Sequence, residues 1–138
     1  MKLTELEPKF LRYECTPGRP TQIANDPLHF PEGGSHVEFR DTVVWHMVGT
    51  LAEAQGVEFL CPKCFVTNGG RVGTHIVVCW SRLRGVPDGA HPLPGRWALN
   101  GTGFEDLTLD AEPPNGARSV ALTGGCGAHF LVTNGEVT

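Results

Sequence analysis

Cys61-Pro62-Lys63-Cys64 and Cys126-Gly127-Ala128-His129 each set two metal-binding side chains two residues apart. Zinc favours thiolate and imidazole donors in a tetrahedral array, and a two-residue spacer lets each pair grip the ion from one tight turn. Cys61, Cys64, Cys126 and His129 are therefore the candidate ligands of a single structural Zn2+. Gly124-Gly125 ahead of the second pair allow backbone N–H groups to turn toward sulfur. Lys63 stands where its charge can soften the thiolates. A set of three Cys and one His is coordinatively closed, whereas catalytic zinc keeps a position open for water, so the pattern argues for structure over hydrolysis.

The segment between the two pairs is far longer than the ~15 to 20 residues of a compact zinc ribbon. The ion would then join distant parts of a sheet, where closure removes the most entropy from the unfolded chain. His75 and Cys79 lie on one expected strand, about 13 Å apart at ~3.3 Å per residue, too far to grip an ion together. Cys79 reads as a buried small hydrophobe and His75 as a hydrogen-bonded core or rim residue. Either can replace one of the four ligands, His75 ahead of Cys79. A redox role for Cys61 and Cys64 would call for a thioredoxin-like βαβ unit around them, and no such pattern is present. Cys15 sits in a Pro-rich stretch as an incidental thiol, and His29, His36, His46 and His91 are scattered without helical partners. There is no nucleophile elbow, P-loop or dinucleotide fingerprint.

The elements that must position these ligands are short. In 138 residues, 18 glycines and 11 prolines imply many turns, while a hydrophobic share of 40% supplies one core. The expected fold is mainly β, α+β with one short helix: a single small antiparallel-sheet domain clipped by zinc. Residues 1–35 carry five prolines and Gly33-Gly34 and read as an arm packed on the surface, pinned by Leu11, Tyr13, Ile23, Leu28 and Phe30. Residues 36–138 form the β-rich zinc-binding domain. Strands are expected at His36 to Arg40, Thr42 to Val48, Val57 to Leu60 and Thr74 to Trp80, the last central and buried. Thr50 to Glu53 has capping-box spacing for a short helix to Gln55, ended by Gly56 in a left-handed conformation. Ser81 to Gly95 reads as a long surface loop. Shorter strands follow near Trp97 to Leu99, Leu107 to Leu109 and Ser119 to Leu122, and Asn134-Gly135 marks a type I′ hairpin.

The net charge of -4 and pI near 5.8 give no electrostatic reason to expect nucleic acid. The odd number of cysteines, five, fits metal chemistry in a reducing compartment better than a disulfide framework. No stretch approaches the ~20 apolar residues of a membrane span, and MKLTELEPKF lacks a signal-peptide core. A cytoplasmic location, with no membrane partner, is the expectation.

The runs GVEFLCPKCF, THIVVCW and GRWALNGTGFEDLTL, through to GGCGAHFLVTNGEV, resemble an uncharacterised family of small phage and prophage proteins over roughly residues 50–138. The resemblance implies a zinc site on Cys61, Cys64, Cys126 and His129. Some phage relatives bear an ammonia monooxygenase label, which would imply a membrane copper enzyme with spans this chain lacks. The function expected is a non-catalytic, zinc-stabilised binding protein whose loops at Ser81 to Gly95 and Asn100 to Asp106 engage a host or phage protein, such as a host defence complex. Two alternatives are kept. One is a zinc hydrolase using His75 with Cys79 or Asp106. The other is a single-stranded nucleic-acid binder stacking bases on Trp80 and Trp97, for which a basic groove is missing.

Overall fold

The computed structural model describes residues 1–24, 35–114 and 116–138, with side chains for 1–14, 45–114 and 116–138. Runs rich in β-branched and aromatic residues become strands. These are β1 (Lys9–Ala24), β2 (Ser35–Val48), β3 (Gly56–Leu60), β4 (Ile76–Trp80), β5 (Trp97–Asn100), β6 (Thr108–Ala111), β7 (Val120–Ala121), β8 (His129–Phe130), β9 (Val132–Thr133) and β10 (Glu136–Val137). One α-helix, α1 (Pro62–Asn68), and 3-10 turns at Leu3–Leu6, Leu51–Glu53 and Arg82–Arg84 accompany them. The protein is mostly β, as expected, with one short helix among the described residues, at a place not expected to be helical, and β5 with β6, β7 with β8 and β9 with β10 form two-stranded antiparallel sheets. Among the described residues no helix is long and apolar enough to cross a membrane.

The chain divides into two units, Met1–Arg12 with His46–Thr138, and Tyr13–Trp45. The first twelve residues thus do not behave as a surface arm. Leu3 and Leu6 are fully buried, and Phe10 and Leu11 nearly so. The three-residue period of a 3-10 turn sets Leu3 and Leu6 on the same side. In the smaller unit β1 and β2 are hydrogen-bonded neighbours. Pro17 and Pro20 sit within β1 even though prolines were grounds for expecting no central strand there. β1 pairs with β3 only over Lys9 to Leu11, so its proline-bearing part has one side free of that ladder. The two strands expected between His36 and Val48 are one, β2. Leu28, Phe30 and His29 lie outside the described residues, as do the side chains of Cys15, Ile23 and His36.

The larger unit is organised by the β3–β4 ladder, with partners running from Gly56↔Trp80 to Leu60↔Ile76. Val57 and Phe59 of β3 and Val77 and Cys79 of β4 face the core, which Leu99, Leu109, Phe130 and Val132 complete. The Phe59 and Phe130 rings meet edge to face at 5.9 Å. β4 is not central. Its one neighbour among the described residues is β3, and Ile76 is 55% exposed, because β-branched content favours any pleated surface, edge or interior. The short helix expected after Thr50 is a single 3-10 turn, and Thr50 Oγ1 donates to the Glu53 carboxylate at 2.9 Å instead of capping the backbone. Gly56 does not end it in a left-handed conformation; it is a strand residue with the Trp80 ring packed where a Cβ would stand.

Asn134 and Gly135 take φ of 48° and 76°, the paired positive values of a type I′ turn, and join β9 to β10. Gly135 N–H donates to the Leu107 carbonyl at 2.8 Å, and a Cβ there would run into the Glu105 carbonyl. The adjoining loop is tied by Asp106, whose carboxylate accepts from the N–H groups of Thr102 and Gly103 and from the Thr102 hydroxyl.

Gly135→Ala combines positive φ with a backbone collision, so we expect a loss of ~2 to 4 kcal/mol, against less than ~0.5 kcal/mol for Gly89→Ala, in denaturant unfolding; Gly89 has nothing within 4 Å of its added Cβ. The bonds from Thr102 and Gly103 hold the Asp106 carboxyl below its usual range. Its contribution is present above the ordinary aspartate value and is lost as pH falls through the lowered folded value. Melting curves of Asp106→Asn should therefore show a shallower decline of stability in acid than the parent.

Candidate metal centre

The β3–β4 ladder runs one step beyond the strands. Cys61 N–H donates to the His75 carbonyl at 2.9 Å, so the register that pairs Leu60 with Ile76 sets Cys61 directly across from His75. α1 starts at the next residue. Pro62 supplies a preset φ where no helical N–H is needed, and Phe65 N–H closes onto the Cys61 carbonyl at 2.9 Å. That turn brings Cys64 back toward Cys61. The remaining ligand comes from the loop joining β7 to β8. Leu122 N–H donates to the Ala128 carbonyl at 2.8 Å, and Gly125 and Gly127, at φ of 59° and 63°, let the chain reverse around Cys126. Lys63 Nζ donates to the Cys126 carbonyl at 2.6 Å and holds this loop against α1.

The ligand atoms of Cys61, Cys64, His75 and Cys126 all lie within 4.8 Å of one another, close enough to hold a metal ion. Cys61 Sγ is 3.7 Å from Cys126 Sγ, and His75 Nε2 is 3.4 Å from Cys126 Sγ. Tetrahedral bonds of ~2.3 Å to sulfur and ~2.0 Å to nitrogen require about 3.8 Å between sulfurs and about 3.5 Å between sulfur and nitrogen. These two distances match donors around one ion, and all four cysteines with described side chains are free thiols. His75 Nδ1 lies 3.3 Å from the Ile76 carbonyl. A carbonyl only accepts, so this contact places a proton on Nδ1; in a metal-bound state the Nε2 proton would be given up and its lone pair turned to the ion.

Crowding the thiols together divides their acidity. The Cys126 thiol is lowered to about 6, first by the hydrogen bond with His75 and then by the Ala128 N–H. The Cys64 thiol is raised to about 11, first by desolvation and then by the two neighbouring sulfurs. Three thiolates this close repel, and a bound cation is the change that lets all of them ionise.

Three of the four expected ligands, Cys61, Cys64 and Cys126, converge, and His75 occupies the place assigned to His129. His129 lies on β8 opposite Ala121, exposed between buried Ala128 and Phe130. Strand alternation that points Phe130 into the core turns His129 outward. The signal for His75 was available: two strands bounding a short helical connection, with His75 one residue before β4 and Cys61 one after β3. Cys79 is fully buried opposite Val57, and burial pushes its thiol up. Asp106 serves its own turn. The Trp80 and Trp97 indoles are buried, with Nε1–H donated to the carbonyls of His91 and Ser119. Comparison of the chain with protein-family models, curated proteins and solved structures gave no match.

In a metal titration, His75→Ala should weaken binding by more than the 10- to 100-fold typical of losing a partner behind a ligand. His129→Ala should leave the affinity within about twofold, with one ion per chain. Equal losses from both variants would reject this ligand set.

Proposed function

We propose that Cys61, Cys64, His75 and Cys126 bind one structural Zn2+ and that the protein is a non-catalytic, zinc-stabilised binding domain that engages a protein partner. The observation that carries the reading is the donor set itself: three sulfurs and one imidazole nitrogen all within 4.8 Å of one another, close enough for one ion. Soft thiolates with imidazole suit zinc over hard cations. Four side chains fill a tetrahedron and leave no place for the water a hydrolytic zinc would need. The hydrolase alternative draws on Asp106 and Cys79, which are engaged elsewhere. The resemblance to small phage proteins makes a host protein, such as part of a defence complex, the partner class, met in the reducing cytoplasm where free thiols persist.

Cobalt substitution tests the site. The expected spectrum has intense tetrahedral d–d bands and sulfur-to-cobalt charge transfer, with one ion per chain. An exchangeable water on the metal would sink the closed-site reading. Stripping the ion with a chelator should lower the melting temperature by on the order of 10 °C or more, because a site filled at a thousandfold over its Kd contributes ~4 kcal/mol. Cys126→Ser should reproduce much of that loss in untreated protein.

A further inference from the structure

Beside the metal centre lies a cavity of about 830 Å³. One wall is β4 from His75 to Val78, the opposite wall is Ser119 to Thr123, and Trp97, Leu93 and Glu112 contribute to the lining. The volume is within the ~300 to 1,000 Å³ of binding sites. Two unsatisfied features belong to its lining residues. The first is the free edge of β4. Cys61 N–H to the His75 carbonyl and Ser81 N–H to the Gln55 carbonyl show that the odd-numbered residues of this stretch bond to β3. Antiparallel alternation then directs the N–H and C=O of Val78 away from β3 toward the cavity side, where no strand pairs with them among the described residues.

The second is Glu112, 2% exposed. Its Oε1 accepts from the Ser81 hydroxyl at 3.2 Å and from Leu83 N–H at 3.0 Å. Its Oε2 is buried without a hydrogen bond, with the Arg82 Nε at 3.7 Å as an ion-pair neighbour only. Such a buried acceptor is costly to leave unmet. The surrounding charge selects the donor. Arg82 already balances the carboxylate, and Arg96 is spent on the carbonyls of Pro87, Asp88, Ala90, Pro92 and Gly95. A neutral N–H therefore complements Oε2 better than a further cation.

We propose that this cavity is a groove for an extended, mainly apolar peptide segment of the partner, added as a strand along β4. Its backbone pairs with the N–H and C=O of Val78, and a neutral N–H, from the peptide backbone or a carboxamide side chain, reaches Glu112 Oε2. Main-chain pairing of this kind supplies affinity, and side-chain pockets supply selectivity. The proposal rests on the binding-domain reading above and names the surface and the chemistry of its partner.

The test uses the full-length metal-loaded chain and a displayed library of random nonapeptides, with enriched sequences remade as acetylated, amidated peptides. Expected are peptides that slow hydrogen exchange at Val78 N–H and shift the Trp97 indole resonance. Val78→Pro removes only an N–H that points away from β3, so it should keep the metal and fold and weaken these peptides at least tenfold. Glu112→Gln, which converts half of the carboxylate to a donor, should weaken them several-fold; where that variant fails to fold, Val78→Pro decides. No enriched peptide, binding unchanged in Val78→Pro, or occupation only by a small amide such as hexanamide would overturn the proposal. Metal content read on the same samples separates the two readings: one closed-site ion without peptide binding rejects the groove alone, and loss of the ion from the parent rejects the zinc domain.

Discussion

A slip of one residue in the pairing of β3 with β4 would turn one strand over relative to the other. With Val57 and Phe59 kept in the core it would send Val77 and Cys79 out, and it would carry His75 away from Cys61. The candidate metal site and the hydrophobic core therefore depend on the same register. Burial of four side chains enforces it from one end of the ladder, and the bond from Cys61 N–H to the His75 carbonyl carries it to the other. Each feature protects the other: ligands that converge only in one register also penalise the alternatives that the apolar pattern alone would allow.

Within that frame the ligands are unequal. Cys61, Cys64 and His75 come from one local β3–α1–β4 unit, so bringing them together closes only a short loop. Cys126 arrives from the β7–β8 connection, 65 positions beyond Cys61. By the logarithmic growth of closure entropy, this long loop adds only modestly to the ordering cost. Its effect is topological. A cation at the centre would tie the β7–β8 hairpin to the β3–β4 hairpin, where protein contacts alone supply the Lys63 bond and part of the core. Without a cation the thiols are unequal, Cys126 lowered chiefly by its hydrogen bond with His75 and Cys64 raised chiefly by desolvation.

The spacing of the cysteines carried most of the site. A two-residue gap is a local geometric statement, and Cys61, Cys64 and Cys126 meet as it implies. His129 misled because the same gap was applied to a residue already committed to strand alternation, between Ala128 and Phe130. His75 was legible only as a substitute ligand, because its nearness to Cys61 is a property of register, which periodicity does not reveal until both strand ends are known. β3, β4 and the shorter strands after Trp97 were legible from β-branched runs, and Asn134-Gly135 from its turn chemistry, whereas β1 was read as part of an arm and β2 as two strands. Neighbour relations were not legible, so β4 read as central. The N-terminal residues were obscured by composition: the prolines of residues 1–35 masked the Leu3, Leu6 and Phe10 contribution to the core. Arg96, an unremarked charge in the sequence, proves to gather the Pro87 to Gly95 loop by its carbonyls.

His75 belongs to two places at once, the donor group and the wall of the adjoining cavity. Its backbone carbonyl takes the last rung of the β3–β4 ladder, and its ring holds the Ile76 carbonyl through Nδ1. An edge strand is ordinarily the first part of a sheet to fray, since half of its backbone groups have no partner. Anchoring the leading end of β4 through a side chain fixed at the donor group would keep that edge straight and its Val78 amide aimed outward. A partner strand would then meet a preordered edge, and the entropy lost on pairing would fall mainly on the incoming segment. On this argument a bound metal and the groove would be coupled through His75 to Val78 of one strand end, and the structural role of such an ion would extend to the surface proposed to do the binding.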